Sequence, residues 1–215
     1  MKAFVSINMA TSIDGKIATK FRGPVKLGSL YDSKRMGEIR AKHDIIINGA
    51  GTFRAYPFPL LAGKKAKKSS GPANAIVSSK LAIPKGSAWE RAAHVEKWIF
   101  CGSEASQKKM QYFRDQGIVV AQSKKRRPTA KEILKILSRA GFNRILLEGG
   151  GELNASFMEE GLVDRIYLTF CPIIVGGSEA PTFIEGKGFL KGKFPQFFLK
   201  NMKRVKDELY LVYER

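Results

Sequence analysis

The sequence predicts an α/β fold in which a mostly parallel β-sheet ends in an antiparallel C-terminal hairpin. Short apolar runs alternate with helical patterns along most of the chain, as parallel strands joined by helical crossovers require. After Leu162 this rhythm stops: one run has the two-residue period of a half-exposed strand, and two further runs near the end of the chain predict a hairpin. A chain of 215 residues with 44% hydrophobic content suits a single domain, which we expect to span residues 1–215.

The predicted elements follow from these runs in chain order. Parallel strands are expected at 4–9, 44–47, 73–77, 97–100, 117–121 and 144–147, and helices at 33–42, 106–116 and 129–140. Thr129 and Glu132 form the sequence pattern of a capping box at the start of the third helix. A further helix follows residue 151, because Leu153, Phe157 and Met158 recur at helical spacing. Residues 164–171 alternate as a half-exposed strand does, and 197–205 with 209–213 predict the closing hairpin.

The composition is that of a water-soluble protein with an unusually high positive charge. Lys and Arg number 38 against 19 Asp and Glu, which gives a net charge of +19 with clusters at 64–68, 124–127 and 200–206. This charge favours anionic partners, either phosphorylated small molecules or nucleic acid, although a solvated surface explains the clusters equally well. No apolar run is long enough to span a membrane, and no secretory signal is present. Two cysteines without ligand spacing indicate a reduced, cytoplasmic protein.

A run of three glycines stands between the strand at 144–147 and the helix that follows it. Gly149, Gly150 and Gly151 leave backbone N–H groups uncovered at the positive end of a helix dipole. Such a turn can hold a phosphate, and it can also be a tight turn that needs glycine for its backbone angles alone. The strand before it and the helix after it favour the phosphate site.

Two other polar segments also follow predicted strands directly. Residues 9–18 contain Asp14 and Gly15, a pair that is common in ordinary turns, and residues 47–53 carry two glycines and Thr52. Ligands of open α/β sheets bind beyond the carboxyl ends of the strands. The three segments should therefore meet at one rim of the sheet.

The sequence offers no obvious nucleophile or metal centre. The two histidines, His43 and His94, stand in no metal-ligand spacing, and no nucleophile elbow, phosphate-binding Walker loop or paired-cysteine site occurs. A zinc deaminase signature is also absent. A bound cofactor is therefore expected to carry the chemistry.

Taken together in order, these motifs resemble those of the riboflavin-biosynthesis pyrimidine reductase family. The matching segments are 12–18, Arg40 with Asp44, 49–52, 147–153, 161–164, Tyr167 with Leu168, and 172–177. The resemblance implies a three-layer domain like dihydrofolate reductase, usually a homodimer. It implies an NADPH-dependent reduction of the ribose of a pyrimidine ribosylamino 5′-phosphate to a ribityl chain, with a separate deaminase elsewhere.

The resemblance also implies roles for individual residues. The cofactor would be bound by Ala10, Thr52, Gly149, Gly150, Gly151, Glu152, Leu153, Asn154 and Ser156. The substrate would be bound by Glu148, Arg40, Asp14 and Leu60, in a cationic setting that suits its phosphate. Read without the family, Glu148 is a strand-end carboxylate neutralised by a lysine, and Arg40 is a solvated helix arginine. Asp14 would either orient the substrate or order its own loop. No catalytic side chain and no metal site is expected.

Several positions depart from the family pattern. Tyr56 stands where the family usually has an aspartate, Lys26 where it has an aromatic residue, and Pro24 where it has a serine. A basic residue is expected where Gly63 stands, with Lys64 or Lys65 beside it. These changes leave the pyrimidine substrate open. A related reductase acting on another imine or pterin, a member that binds the cofactor without turnover, and a basic nucleic-acid-binding protein are the alternatives.

Overall fold

The structure is a computed structural model that describes residues 3–63 and 71–215. Within these ranges nine strands form one sheet and six α-helices connect them. The strands are β1 (Phe4–Thr11), β2 (Ile45–Gly49), β3 (Ala73–Val77), β4 (Lys97–Cys101), β5 (Val119–Gln122), β6 (Arg144–Leu147), β7 (Arg165–Phe170), β8 (Phe198–Val205) and β9 (Glu208–Glu214). The helices are α1 (Leu30–Arg40), α2 (Ala50–Ala55), α3 (Ala88–Arg91), α4 (Gln107–Asp115), α5 (Ala130–Arg139) and α6 (Gly151–Glu159).

The sheet topology confirms the predicted fold class. The strand order is β5-β4-β3-β2-β6-β1-β7-β9-β8, and every pairing from β5 to β7 is parallel. Strands β8 and β9 form the antiparallel hairpin, which joins the sheet through an antiparallel pairing of β9 with β7. All seven parallel strands therefore end at the same edge of the sheet.

Helices cover both faces of the sheet and give the fold three layers. Ile45 and Ile47 of β2 pack in a cluster with the apolar side chains of α5 and α6. Ile46 points to the other face and packs with Ile39 of α1. On that same face a third cluster contains Ile76 of β3 and the apolar side chains of α2, α3 and α4. The three consecutive isoleucines are buried because a parallel strand in such a fold has no solvent-facing side.

Three helices differ from the sequence prediction: α1 begins early, and the short helices α2 and α3 were not predicted. Helix α1 begins at Leu30, earlier than expected, because the Ser29 side chain accepts hydrogen bonds from the backbone of Tyr31 and Asp32. The six-residue helix α2 was not predicted, since Gly49 at its N-cap supplies no side-chain hydrogen bond. Such a short glycine-led helix carries too little periodic signal to separate it from a loop.

The capping box at α5 is only half formed. The Thr129 hydroxyl accepts from the Glu132 backbone at 3.2 Å, as predicted. The Glu132 carboxylate instead accepts from the Ser123 hydroxyl at 2.7 Å. The carboxylate of Glu160, at the end of α6, accepts from the backbone N–H groups of Ala130 and Lys131 and so caps the start of α5 from another helix.

One sequence feature, the lysine cluster at 64–68 with Lys64 and Lys65 as candidate substrate contacts, lies outside the described residues. In the ranges that the structure describes, no helix combines the length and apolar character needed to cross a membrane.

His43 is buried between α1 and β1 and is held by two hydrogen bonds. Its Nδ1 lies 2.8 Å from the Ile39 carbonyl and its Nε2 lies 3.0 Å from the Ser6 hydroxyl. A carbonyl can only accept, so Nδ1 carries the proton and the Ser6 hydroxyl donates to Nε2. Burial lowers the pKa of His43 and outweighs the opposing effect of the Ile39 hydrogen bond.

We predict that His43 makes the folded protein less stable in mild acid. Its folded-state pKa lies below the value of about 6.5 for an unfolded chain, so below that pH the unfolded state binds more protons. The free energy of unfolding should fall as the pH drops from 7.5 to 5.5. The measurement is urea unfolding at several pH values. His43→Gln should flatten the curve, whereas His94→Gln, which changes an exposed histidine, should leave it unchanged; equal curves for the wild type and His43→Gln would contradict the prediction.

Candidate active site

A cleft of about 1100 Å³ runs along the carboxyl edge of the parallel strands. Segments that end or follow each of the seven parallel strands line it. They include Ala10 and Arg22 after β1, Thr52 and Tyr56 after β2, Ser79 and Lys80 after β3, Glu104 after β4, Arg126 and Arg127 after β5, Glu148 and Gly150 after β6, and Glu185 and Lys187 after β7. The three segments singled out in the sequence thus meet on one rim, as the parallel topology requires.

Two helices begin at the centre of this cleft without a side-chain cap. Helix α6 has Gly150 as its N-cap and α2 has Gly49, and neither cap residue provides a side-chain hydrogen bond. The turns are joined by a hydrogen bond from the Gly49 N–H to the Gly149 carbonyl at 2.7 Å. Uncapped N–H groups at helix amino ends attract anions, and here two such ends lie side by side.

Glycine is required at two positions of the turn for different reasons. Gly149 has a φ of +82°, which residues with a side chain rarely adopt. Gly151 is enclosed instead, because a Cβ there would lie 2.3 Å from the Thr182 carbonyl oxygen. The segment 182–187 packs on α6 at this point, and its Glu185 N–H donates to the Gly151 carbonyl at 3.2 Å.

Most of the predicted cofactor residues line the cleft. They are Ala10, Thr52, Gly150, Gly151, Glu152, Leu153 and Ser156. Leu153 is also packed in the core with Phe157, so its side chain is only slightly exposed. The Ser156 hydroxyl donates to the Leu153 carbonyl at 2.7 Å.

Asn154 and Gly149 do not line the cleft, which corrects the predicted set. Asn154 is fully buried, its side-chain amide donates to the Phe183 carbonyl at 2.9 Å, and its backbone N–H donates to Gly150. The bond to Phe183 turns the Asn154 side chain towards the 182–187 segment and away from the cleft. The Gly149 carbonyl is occupied by the Gly49 N–H.

Among the predicted substrate residues, Glu148 and Arg40 form a two-pronged ion pair. Arg40 Nε lies 2.8 Å from Glu148 Oε1, and Arg40 Nη2 lies 2.6 Å from Oε2. The two side chains are only 12% and 9% exposed. Arg40 Nη1 also donates to the Leu61 carbonyl at 3.1 Å, which fixes the guanidinium against the chain after α2. Arg40 is therefore not a solvated helix arginine, and the carboxylate of Glu148 is paired with an arginine and not a lysine.

Glu148 stabilises the positive charge of Arg40. Burial alone would lower the pKa of Arg40, but the charge and hydrogen bonds of Glu148 outweigh it and raise that pKa. The Asn8 amide lies 3.5 Å from Glu148 Oε1. Glu148 itself borders the cleft, so its remaining lone pairs are open to a ligand.

Asp14 lies in the loop after β1, apart from the Arg40–Glu148 pair. Its carboxylate accepts from the Ser12 hydroxyl at 2.6 Å and from the N–H groups of Val175 and Gly176. These bonds, led by that of Ser12, lower the pKa of Asp14 to about 2. Asp14 therefore joins two loops and does not line the cleft, so of its two predicted roles the structure favours ordering the loop.

Leu60 is partly buried and does not line the cleft. Its N–H and carbonyl both bond to the side chain of Asn74, at 2.7 and 3.0 Å. Its side chain packs against the cluster of Ile39 and Ile46. Leu60 lies next to Leu61, whose carbonyl accepts a hydrogen bond from Arg40. Leu60 is therefore linked to the site only indirectly, through the position of the segment that contains both leucines.

Of the positions that depart from the family pattern, only Tyr56 lines the cleft, whereas Pro24, Lys26 and Gly63 do not. The Tyr56 hydroxyl donates to the Val25 carbonyl at 2.9 Å, which ties the loop 12–29 to the end of α2. Pro24 and Lys26 flank Val25 and are exposed. An aspartate at position 56 could not make this bond as a carboxylate, because an ionised carboxylate has no proton to donate.

The cleft also contains residues that the sequence prediction missed. Ser79, Lys80, Arg126 and Arg127 line one end, and Arg22 and Glu185 face each other across it. Five basic and five acidic side chains line the cleft, so the strongly cationic setting expected from the net charge is not found there. Ser79 and Lys80 come one residue after the end of β3, and a polar segment just after a strand is the signal that identified the other segments. Over residues 3–63 and 71–215, no group of three or more His, Cys, Asp or Glu side chains could hold a metal ion.

The fold and the site together define a three-layer α/β protein with a ligand cleft built from strand ends and uncapped helices. Residues 3–211 match the model of the RibD C-terminal domain family. The chain belongs to that family, which confirms the resemblance found in the sequence.

Two relatives have clear sequence similarity to this chain. The 2,5-diamino-6-ribosylamino-4(3H)-pyrimidinone 5′-phosphate reductase of Archaeoglobus fulgidus is 30% identical over 200 residues, covering 89% of this chain and 90% of that protein. The riboflavin biosynthesis protein RibD of Bacillus amyloliquefaciens is 30% identical over 186 residues, covering 86% of this chain. This chain therefore spans only 50% of the length of that RibD.

Solved structures show the same fold at lower identity. A pyrimidine reductase-like protein from Corynebacterium diphtheriae superposes with a TM-score of 0.83 at 20% identity, covering 99% of this chain and 91% of that one. Dihydrofolate reductase from Enterococcus faecalis superposes with a TM-score of 0.56 at 14% identity, covering 99% and 96%. The expected likeness to the dihydrofolate reductase fold is thereby confirmed.

We predict that Gly151→Ala destabilises the protein, whereas Gly51→Ala does not. The new methyl group at 151 would meet the Thr182 carbonyl oxygen, which is backbone and cannot move aside. Overpacking of this kind costs about 1–3 kcal/mol. A Cβ at Gly51 meets no atom within 4 Å, and alanine favours the helix. Urea unfolding measures both variants, and equal stability of the two would contradict the prediction.

Proposed function

We propose that the protein is an NADPH-dependent reductase that converts the ribosylamino group of a pyrimidine 5′-phosphate to the ribitylamino form. The candidate substrates are 5-amino-6-(5-phosphoribosylamino)uracil and its 2,5-diamino-pyrimidinone counterpart. The observation that carries the proposal is the position of the Arg40–Glu148 pair beside two uncapped helix ends, in a chain of the RibD C-terminal domain family. The A. fulgidus relative, named as a reductase of the diamino compound, supports it over most of its length.

The glycine turn has the chemistry to bind a dinucleotide diphosphate. A Cβ at Gly150 would lie 3.4 Å from the Thr52 hydroxyl oxygen, so the missing side chain leaves this hydroxyl accessible from the turn. The amino ends of α2 and α6 supply N–H groups and a partial positive charge. Thr52 and the backbone of 150–153 would hold the cofactor, which when bound supplies the reducing equivalent.

The Arg40–Glu148 pair is suited to orient a polar substrate. The Glu148 carboxylate is fixed by three hydrogen-bond donors from Arg40 and Asn8, so its free lone pairs point in a set direction towards hydroxyl or amino groups of a ligand. Holding the substrate in one pose beside the cofactor is a large part of what such a site contributes to the rate. Met9, Ile17 and Val25 add apolar surface to the cleft and restrict water there.

The basic end of the cleft favours NADPH over NADH. Ser79, Lys80 and Arg127 lie there after β3 and β5, and a hydroxyl with two cations suits an additional phosphate monoester. The Arg126 side chain is paired with Glu104 at 2.7 Å. This end lies several strands away from Glu148 in the sheet order, so the cofactor would extend along the strand ends.

A turnover assay tests the proposed function. Purified protein is mixed with NADPH and each ribosylaminopyrimidine phosphate, and loss of the 340 nm absorbance is followed with identification of the ribityl product. The same assay with NADH tests the cofactor preference, and dihydrofolate tests the alternative substrate class. Turnover of dihydrofolate alone would replace the proposal, and NADPH binding without any turnover would make the protein a non-catalytic member of the family.

We predict that Glu148→Gln impairs substrate binding and not cofactor binding. The amide leaves Arg40 without its counter-ion and removes one acceptor from the cleft. Losing a charge-assisted hydrogen bond of this kind should raise KM for the pyrimidine phosphate by about tenfold or more. The Kd of NADPH should stay within about twofold, because the helix ends are unchanged. Steady-state kinetics and cofactor titration measure the two effects.

A matched control separates this effect from general damage to an ion pair. Glu214→Gln breaks the half-buried Arg165–Glu214 pair between β7 and β9, which does not line the cleft. It should leave KM unchanged. An equal rise of KM in both variants, or a tenfold loss of NADPH affinity in Glu148→Gln, would contradict the assignment.

We also propose a homodimer in the cytoplasm, with the deaminase step on a separate protein. Both cysteines are buried and unpaired in the structure, which fits a reducing compartment. Strand β8 is a sheet edge with Phe198, Leu199 and Met202 exposed, a surface that favours association. Sedimentation velocity tests the assembly, and a monomer at micromolar concentration would contradict the dimer.

A further inference from the structure

An ion pair joins two segments at the mouth of the cleft, which also meet through a backbone bridge between Lys16 and Thr182. Arg22 lies in the loop 12–29 and Glu185 in the segment 182–187, and Arg22 Nη2 is 3.2 Å from Glu185 Oε1. Both residues line the cleft. The Arg22 side chain is 61% exposed and that of Glu185 is 20% exposed, so the arginine can leave while the carboxylate is held.

Glu185 lies directly beside the start of α6. Its N–H donates to the Gly151 carbonyl, and its Oε2 lies 3.0 Å from the position that a Cβ at Gly151 would occupy. A carboxylate is favourable at a helix amino end, because it meets the positive end of the dipole. Glu185 therefore places a negative charge next to the N–H groups proposed to bind the cofactor diphosphate.

The backbone holds Arg22 over the same place. Arg22 has a φ of +53°, in the left-handed region that residues other than glycine seldom adopt, and its N–H closes a turn onto the Thr19 carbonyl at 2.9 Å. The Tyr56 hydroxyl anchors the same loop through Val25. Strained backbone of this kind persists where the surroundings require it, often at ligand sites.

We propose that Arg22 is a cofactor-binding residue that exchanges its partner Glu185 for the diphosphate of the nicotinamide cofactor. The inference rests on the proposed function, since it assumes that a diphosphate binds at the start of α6. A diphosphate carries more charge than one carboxylate and offers paired oxygens that match the fork of a guanidinium. Glu185, close to the same helix end, would repel the incoming phosphates.

The exchange has a low cost because the pair that is broken is weak. Exposed ion pairs contribute little to stability, and Arg22 is mostly exposed. Glu185 would then act as a counter-ion that keeps Arg22 beside the start of α6 before the cofactor binds, and it would compete with the cofactor for the arginine. Removing Arg22 should therefore lower the affinity for the cofactor, and removing Glu185 should raise it.

Cofactor titration of four proteins tests the inference. NADPH fluorescence gives the Kd for the wild type, Arg22→Gln, Glu185→Gln and the double variant. Arg22→Gln should weaken binding about tenfold, as the loss of one charge-assisted partner implies. Glu185→Gln should tighten binding severalfold. In the double variant the tightening should be smaller, because no arginine remains to be released.

Matched variants control for net charge and for folding. Arg204→Gln and Asp207→Asn make the same charge changes in the exposed Arg204–Asp207 pair near the tip of the β8–β9 hairpin, and they should leave the Kd unchanged. Arg22→Lys should recover part of the lost affinity, since a lysine keeps the charge without the fork. Thermal melting checks that each variant is folded.

The outcomes separate this inference from the proposed function. A wild type that does not bind NADPH at millimolar concentration overturns both. A wild type that binds, with Arg22→Gln and Glu185→Gln both unchanged or with Glu185→Gln weaker, overturns the role of the pair and leaves the proposed function standing. Opposite shifts in the two variants, absent in the hairpin controls, support the exchange.

Discussion

The parallel hydrogen bonding of seven strands is the constraint on which the rest of this structure depends. A parallel neighbour can be reached only by a crossover, so the chain returns over a face of the sheet after each strand. Every one of these strands therefore ends at the same edge. The cleft is formed by the ends of these strands and the segments that follow them. For this reason Ala10, Thr52 and Glu148 lie close together although they come from three different strands.

The same constraint explains why so much of the fold could be predicted from the sequence. Strands buried on both faces, such as β2 with Ile45, Ile46 and Ile47, appear as unbroken apolar runs. The edge strand β8 is instead exposed along nearly its whole length, whereas β7, predicted as half-exposed from the alternation of residues 164–171, is buried at four of its six residues. What could not be predicted depends on long-range partners: the Glu160 carboxylate caps α5 from another helix, and no pattern within residues 128–132 contains that information.

The residues of the site also divide into those that could be predicted from the sequence and those that could not. The glycine turn and Thr52 could be found because each follows a strand directly, and that relation is local. The pairing of Arg40 with Glu148 could not be derived from spacing, since 108 residues separate them. The family resemblance implied that both residues bind the substrate, but not that they pair with each other. Arg22 and Glu185 have no local signal at all: one is a loop arginine among many basic residues, and the other is an acid in a glycine-rich segment. Only the meeting of two loops over the cleft gives them a role.

Helix α1 connects the substrate side of the cleft to the antiparallel edge of the sheet. At its start, Glu208 of β9 accepts from the Ser29 N–H at 2.6 Å and from its hydroxyl at 2.7 Å. Burial alone would raise the pKa of Glu208, but the hydrogen bonds of Ser29 and Tyr210 outweigh it and lower that pKa, so the carboxylate remains charged in its buried place.

One turn further along α1, Arg35 donates to the Thr169 hydroxyl of β7 at 2.7 Å and to the Leu211 carbonyl of β9 at 3.1 Å. The last residue of the same helix is Arg40, which holds Glu148. A helix fixed at both ends cannot rotate or slide without breaking charged, partly buried contacts, which are the costly ones to leave unmade. The C-terminal hairpin, although it contributes no residue to the cleft, thus sets the position of the arginine that orients Glu148.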